Sequence, residues 1–110
     1  MINLVNFDKL VETHMEELGV SKEDILDLFQ DFFSELSESL MELRENIDDK
    51  KALDPILHNL KGILLNLKLE EQGEQVGHIY NLKDLSKETL ELVIKDLAVF
   101  GGELKDYLDK

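Results

Sequence analysis

His58, Lys61 and Gly62 stand together in the pentapeptide HNLKG, and their order suits the handling of a phosphoryl group. A neutral imidazole is a competent nucleophile near neutral pH, because its unperturbed pKa is about 6.5. Its attack on an acyl phosphate gives a phosphoimidazole, a covalent intermediate. On a helix Lys61 follows His58 by about one turn, where its ammonium can hold the incoming phosphoryl oxygens. Gly62, also one turn on, has no side chain to obstruct whatever delivers the group. The sequence has no phosphate-cradling loop and no acidic cluster of magnesium-binding spacing. The metal and the donor aspartate are therefore expected on a partner. The chain is expected to be a carrier rather than a self-sufficient enzyme, with no cofactor of its own.

This chemistry needs a helix with one wet face. At about 100° per residue, Ile56, Leu60, Ile63, Leu64 and Leu67 gather opposite His58 as a core stripe. His58, Gly62, Leu65 and Leu69 then face outward, bordered by Lys61 and Lys68. A single exposed leucine is ordinary. Two on the face that carries the histidine make an apolar contact patch, with Asn59, Asn66 and Lys68 at its rim. Asp54, one turn before His58, is assigned to helix capping in preference to orienting the ring.

The rest of the chain reads as helices that could position this face. Asn6 caps the first, whose stripe is Phe7, Leu10, Val11, His14 and Leu18, and Gly19 ends it. His14 is expected at the core edge. Ser21 caps a second helix, with Val20 and Ile25 spaced as a hydrophobic staple. Ile25, Leu28, Phe29, Phe32, Leu36, Leu40, Leu43 and Ile47 hold one of its faces, and Glu and Asp fill the other. The third helix starts at Asp49, or at Asp54 with Pro55 in the first helical position. A weaker fourth helix covers EEQGEQVGHIYNL, with Val76, Ile79 and Tyr80 as its stripe. Gly73 and Gly77, four apart, give it a flat strip that another helix can approach closely. Ser86 caps the last helix, with Leu85 and Leu90 as a staple. Its stripe is Leu90, Val93, Ile94, Leu97, Leu104 and Leu108, and Gly101 falls on it. The expected fold is all-α: an antiparallel four-helix bundle with a short N-terminal lid helix.

The 110 residues make one domain, 1–110, with a single core. A net charge of −13 repels phosphate backbones and anionic lipid. Nucleic acid and membrane partners are not expected. Without cysteine there is no disulfide and no thiolate metal site. His14, His58 and His78 lack the one-turn spacing of a helical metal pair, so no metal site is expected. Nothing in the chain reads as a leader or a membrane span, which suggests a cytoplasmic protein. The initial methionine and the capped first helix favour a chain that stands alone.

HNLKG resembles the H-x-L-K-G signature of histidine phosphotransfer domains, which pass phosphoryl groups between receiver domains in two-component phosphorelays. Length, acidity and the helical plan extend the resemblance over most of the chain. It implies that His58 is phosphorylated, that Lys61 steadies the phosphoryl group and that Gly62 leaves access to it. Leu60 matches a buried leucine of the family, and Leu67 a further core position. The implied partners are a response-regulator receiver domain, carrying Mg2+, and a sensor histidine kinase. The implied state is a monomer. Leu65 and Leu69 would be covered when a receiver docks.

The chain departs from the family where Ile63, Leu64 and Leu65 replace small residues, and at Lys68, near which a helix-ending glycine is usual. The third helix is therefore expected to run further, with Gly73 and Gly77 offsetting the bulk. The alternative reading is a docking module that binds receivers or a kinase without phosphotransfer.

Overall fold

The computed structural model describes residues 6–80 and 86–110, and only the backbone of residues 71, 72, 75, 79 and 80. Leu85, half of one expected staple, lies outside the described residues, as do the side chains of Ile79 and Tyr80. The described residues form five helices: α1 Phe7–Leu18, α2 Lys22–Glu45, α3 Lys50–Asn66, α4 Glu70–Tyr80 and α5 Lys87–Leu108. No strand occurs among the described residues. The fold is an all-α helical bundle.

The capping residues act as their chemistry dictates. The side chains of Asn6, Ser21 and Ser86 accept hydrogen bonds from the backbone N–H groups of Lys9, Asp24 and Thr89. Each satisfies a donor that has no partner inside its helix. Gly19 ends α1 in the left-handed conformation, at φ 64°. Asp49, not Asp54, caps α3, accepting from the N–H groups of Lys51 and Ala52. Pro55 thus lies inside the helix. Without an N–H it cannot donate to the carbonyl of Lys51, one turn back.

α2 packs on α5 and on α3, α3 on α4, and α1 on α2. Asp48 at the end of α2 pairs with Lys87 at the start of α5, and Leu36 lies against Gly101. The two helices therefore run antiparallel. Ile25, Phe29, Phe32, Leu36, Leu40 and Leu43 of α2 are buried against Leu90, Val93, Ile94, Leu97, Phe100 and Leu104 of α5. Phe100, absent from the expected stripe, is central: its ring meets Phe7 at 5.9 Å and Phe32 at 6.5 Å. α1 closes one end of the bundle, with Phe7 stacked on Tyr107 at 5.3 Å and the Tyr107 hydroxyl donating to Asp8 at 3.0 Å. Leu18 and Leu28, expected on apolar stripes, are exposed instead. No helix among the described residues is long and apolar enough to cross a membrane.

Candidate functional site

The third helix buries a stripe slightly different from the expected one. Leu53, Leu57, Leu60 and Leu64 are buried, whereas Ile56 and Ile63 are only half-buried. At about 100° per residue the stripe is turned by roughly 40°. Gly62 therefore becomes the outermost position of the helix. His58 and Leu65 flank it toward α4, and Asn59 and Asn66 toward α2. His58, Asn59, Gly62, Leu65 and Asn66 are all exposed. A Cβ built on Gly62 would meet nothing within 4 Å among the described residues. The space above the helix one turn from His58 is open.

On one flank α4 approaches through its glycines. A Cβ on Gly77 would lie 2.9 Å from Lys61 Cε, and one on Gly73 would lie 2.7 Å from Leu65 Cδ2. Real Cβ atoms do not come that close, so a side chain at either position would have to displace its neighbour, Leu65 at Gly73 or the flexible end of Lys61 at Gly77. Lys61 and Leu65 are four apart, as are Gly73 and Gly77, so the two ladders mesh one turn at a time. Lys61 is half-buried, with its chain from Cδ to Nζ lying over Gly77 of α4. Leu65 remains 38% exposed. The other flank is acidic: Glu35, Glu38 and Glu42 of α2 line a groove with Asn59 of α3.

Leu69 is not on this face. It is 4% exposed and belongs to the core, because α3 stops at Asn66 and the helical wheel does not extend to it. The N–H of Lys68 donates to Leu65 O and that of Leu69 to Leu64 O, both at 3.0 Å. These are the paired hydrogen bonds of a Schellman ending, which folds the second residue past the helix back onto its last turn. Lys68 takes the left-handed position at φ 62°, the only described residue other than glycine with positive φ. The expectation that α3 runs on past Lys68 is thereby corrected: the helix ends where a glycine would end it, with lysine in that role. The Lys68 ammonium also pairs with Glu17 of α1 at 2.6 Å.

The other two histidines differ in burial. His78 is exposed on α4. His14 is buried between α1 and α2, 3% exposed, with its ring edge-on to Phe29 at 5.5 Å. Its Nδ1 lies 2.9 Å from Leu10 O, and a carbonyl only accepts, so Nδ1 carries the proton. Nε2 is buried without a hydrogen-bond partner among the described residues.

Two features of the site escaped the sequence. The acidic wall of α2 was legible as charge but not as a neighbour of Asn59, since that depends on how α2 and α3 pack. The burial of Lys61 depends on Gly77, sixteen residues away; the glycine pair was its available signal. Neither a protein-family model, nor a curated protein, nor a solved structure matches the chain.

Proposed function

We propose that the protein is a histidine phosphocarrier, taking a phosphoryl group on His58 from an aspartyl phosphate of a receiver domain and passing it to another. The observation that carries this reading is the open space over Gly62 beside an exposed His58. A helix interior disfavours glycine by about 1 kcal/mol relative to alanine, and among the described residues no side chain or backbone fills the vacancy on this outer face. An approaching receiver domain uses it.

In the proposed step, an unprotonated ring nitrogen of His58 attacks phosphorus. The N–P bond forms as the P–O bond to the aspartate breaks, and the carboxylate leaves with the bonding pair. The remaining ring proton can pass to water. Lys61 is held on the α4 flank, where its positive charge favours the phosphoryl oxygens. The carboxylates of Glu35, Glu38 and Glu42 disfavour an anion on the opposite flank, so the group is biased toward Lys61. Leu65, with Asn59 and Asn66 beside it, supplies the contact surface for the receiver. Lys68 and Leu69, committed to the helix end, contribute little to that surface.

The test is transfer itself. The protein is mixed with magnesium and a panel of phosphorylated receiver domains, and intact mass is followed. An acid-labile adduct that is absent from His58→Gln is expected with at least one receiver. No adduct across the panel, with receiver binding intact, overturns phosphotransfer and leaves a docking module.

A further inference from the structure

The side of α2 away from α3 carries a second groove, formed with α5, of about 610 Å³. Its charge is the reverse of the molecule's. The chain has 12 basic residues against 25 acidic ones, yet this groove gathers Arg44, Lys87 and Lys95 around one carboxylate, Glu91. Lys87 is partly answered by Asp48 at 3.5 Å. No ion pair among the described residues engages Arg44 or Lys95. Between the cations runs an apolar floor of Ile47, Ile94, Ala98 and Val99. Val99 is 58% exposed, and Leu92, on the same outer face of α5, is 63% exposed. The core does not use these two side chains. From Lys87 to Val99 the floor runs along α5 for about 18 Å, or roughly three helical turns.

We infer that this groove docks an acidic amphipathic helix of a partner protein. A third helix laid between α2 and α5 would set apolar side chains three and four apart onto the floor. Its carboxylates would face Arg44 and Lys95, whose fields favour an acidic partner at this groove of a chain that is acidic overall. A second copy of this chain is a poor occupant. A two-fold interface on the groove would set Arg44 and Lys95 near their own counterparts, and two chains of charge −13 repel. The groove and the exposed face of α3 flank α2 on opposite sides, so one partner at each can be held together.

The test uses the intact chain labelled with 15N and an 18-residue synthetic peptide with leucines spaced three and four apart and Glu and Ala elsewhere. Saturable amide shifts at Arg44, Ile47, Lys95 and Val99 are expected. Replacing each Glu of the peptide by Gln is expected to weaken binding about tenfold or more, and the Arg44→Glu, Lys95→Glu double variant to abolish it. Both positions are exposed, and circular dichroism checks that the variant keeps its helices. Shifts confined to α3, equal binding of the Gln peptide, or undiminished binding by the variant would each overturn the inference. Dimerisation of the free chain through the same residues would also overturn it. So would flotation with phosphatidylglycerol vesicles in the absence of peptide binding.

Discussion

The α2–α5 pair and the α3–α4 pair are both antiparallel neighbours in one bundle, but they are joined by different means. α2 and α5 meet through rings and long aliphatic chains. Phe29, Phe32 and Phe100 are buried there, and a Cβ on Gly101 would lie at ordinary contact distance, 3.5 Å, from Leu36 Cδ2. α3 and α4 meet through two glycines pressed onto Leu65 and Lys61 at distances that admit no Cβ. The first pair spends its contacts on burial. The second places two side chains, one of them a lysine, at the edge of an exposed face. The difference teaches that stability and the proposed site are concentrated on different helices, so substitutions can separate them.

The largest expected effect is in the ring-built half. Phe100→Ala removes a ring that is 2% exposed and in contact with two others. It should cost about 3–5 kcal/mol, a large share of the 5–15 kcal/mol typical of such a domain. In α4, Val76→Ala deletes two methyl groups from a fully buried position, worth about 2 kcal/mol. Urea unfolding measures both. Hydrogen exchange should show Phe100→Ala loosening every helix and Val76→Ala loosening mainly α4, whose closest neighbour is α3. If Val76→Ala proves as costly and as global as Phe100→Ala, the two halves are one cooperative unit and the comparison fails.

Glycine replacements sharpen the same contrast at about 1 kcal/mol. Gly101→Ala meets only ordinary contacts and should gain helix propensity, up to about 1 kcal/mol, without touching the site. Gly62→Ala also meets nothing within 4 Å and should gain a similar amount. Under the proposed function it fills the space a receiver uses, so transfer should slow by about tenfold, equivalent to ~1.4 kcal/mol in the barrier. Gly77→Ala should be nearly neutral in stability. The new Cβ collides with the flexible end of Lys61, which can swing away, and transfer should then fall toward that of Lys61→Ala. Thermal melts and single-turnover transfer from a phosphorylated receiver decide this. A Gly62→Ala protein that is more stable and transfers at the wild-type rate would show that no partner uses that space.

The same division explains what could be read before the structure. Caps are local, so Asn6, Ser21 and Ser86 were legible from a side chain and the residues just after it. The α3 cap was undecided because Pro55 pulled the start toward Asp54. The structure shows that two hydrogen bonds to Asp49 outweigh the usual reluctance of the residue before proline. Leu69 was misplaced because helical periodicity says nothing about where a helix stops. The usual sign was missing, since Lys68 adopts the conformation normally left to glycine. Phe100 escaped because Gly101 and Gly102 follow it and blur the stripe. His58, Asn59, Gly62, Leu65 and Asn66 share one exposed face as expected, since that placement needs only the helical period. What α2 and α4 set on either side of that face is tertiary, and no spacing within α3 encodes it.

The smallest effect tests whether α1 belongs to the ring-built half, through a proton. Burial, and then the Asp8 carboxylate that accepts its hydrogen bond, raise the Tyr107 phenol above its ordinary value of 10.0. The folded chain therefore holds this proton more tightly than the unfolded chain. The resulting stabilisation is fully present below about pH 10 and is lost as pH rises through the higher folded value. Tyr107→Phe keeps the ring stacked on Phe7 but removes both the hydrogen bond and the proton. At pH 8 it should cost no more than about 1 kcal/mol, the net worth of one partly exposed hydrogen bond. As pH rises through the raised folded value the two proteins should converge, because the wild type then carries a phenolate against a carboxylate. Urea midpoints at three pH values give the comparison. Parallel curves would mean that the Tyr107–Asp8 bond does not hold α1 in place. α1 would then be docked by the packing of Phe7, Val11 and His14 and by the Glu17–Lys68 ion pair.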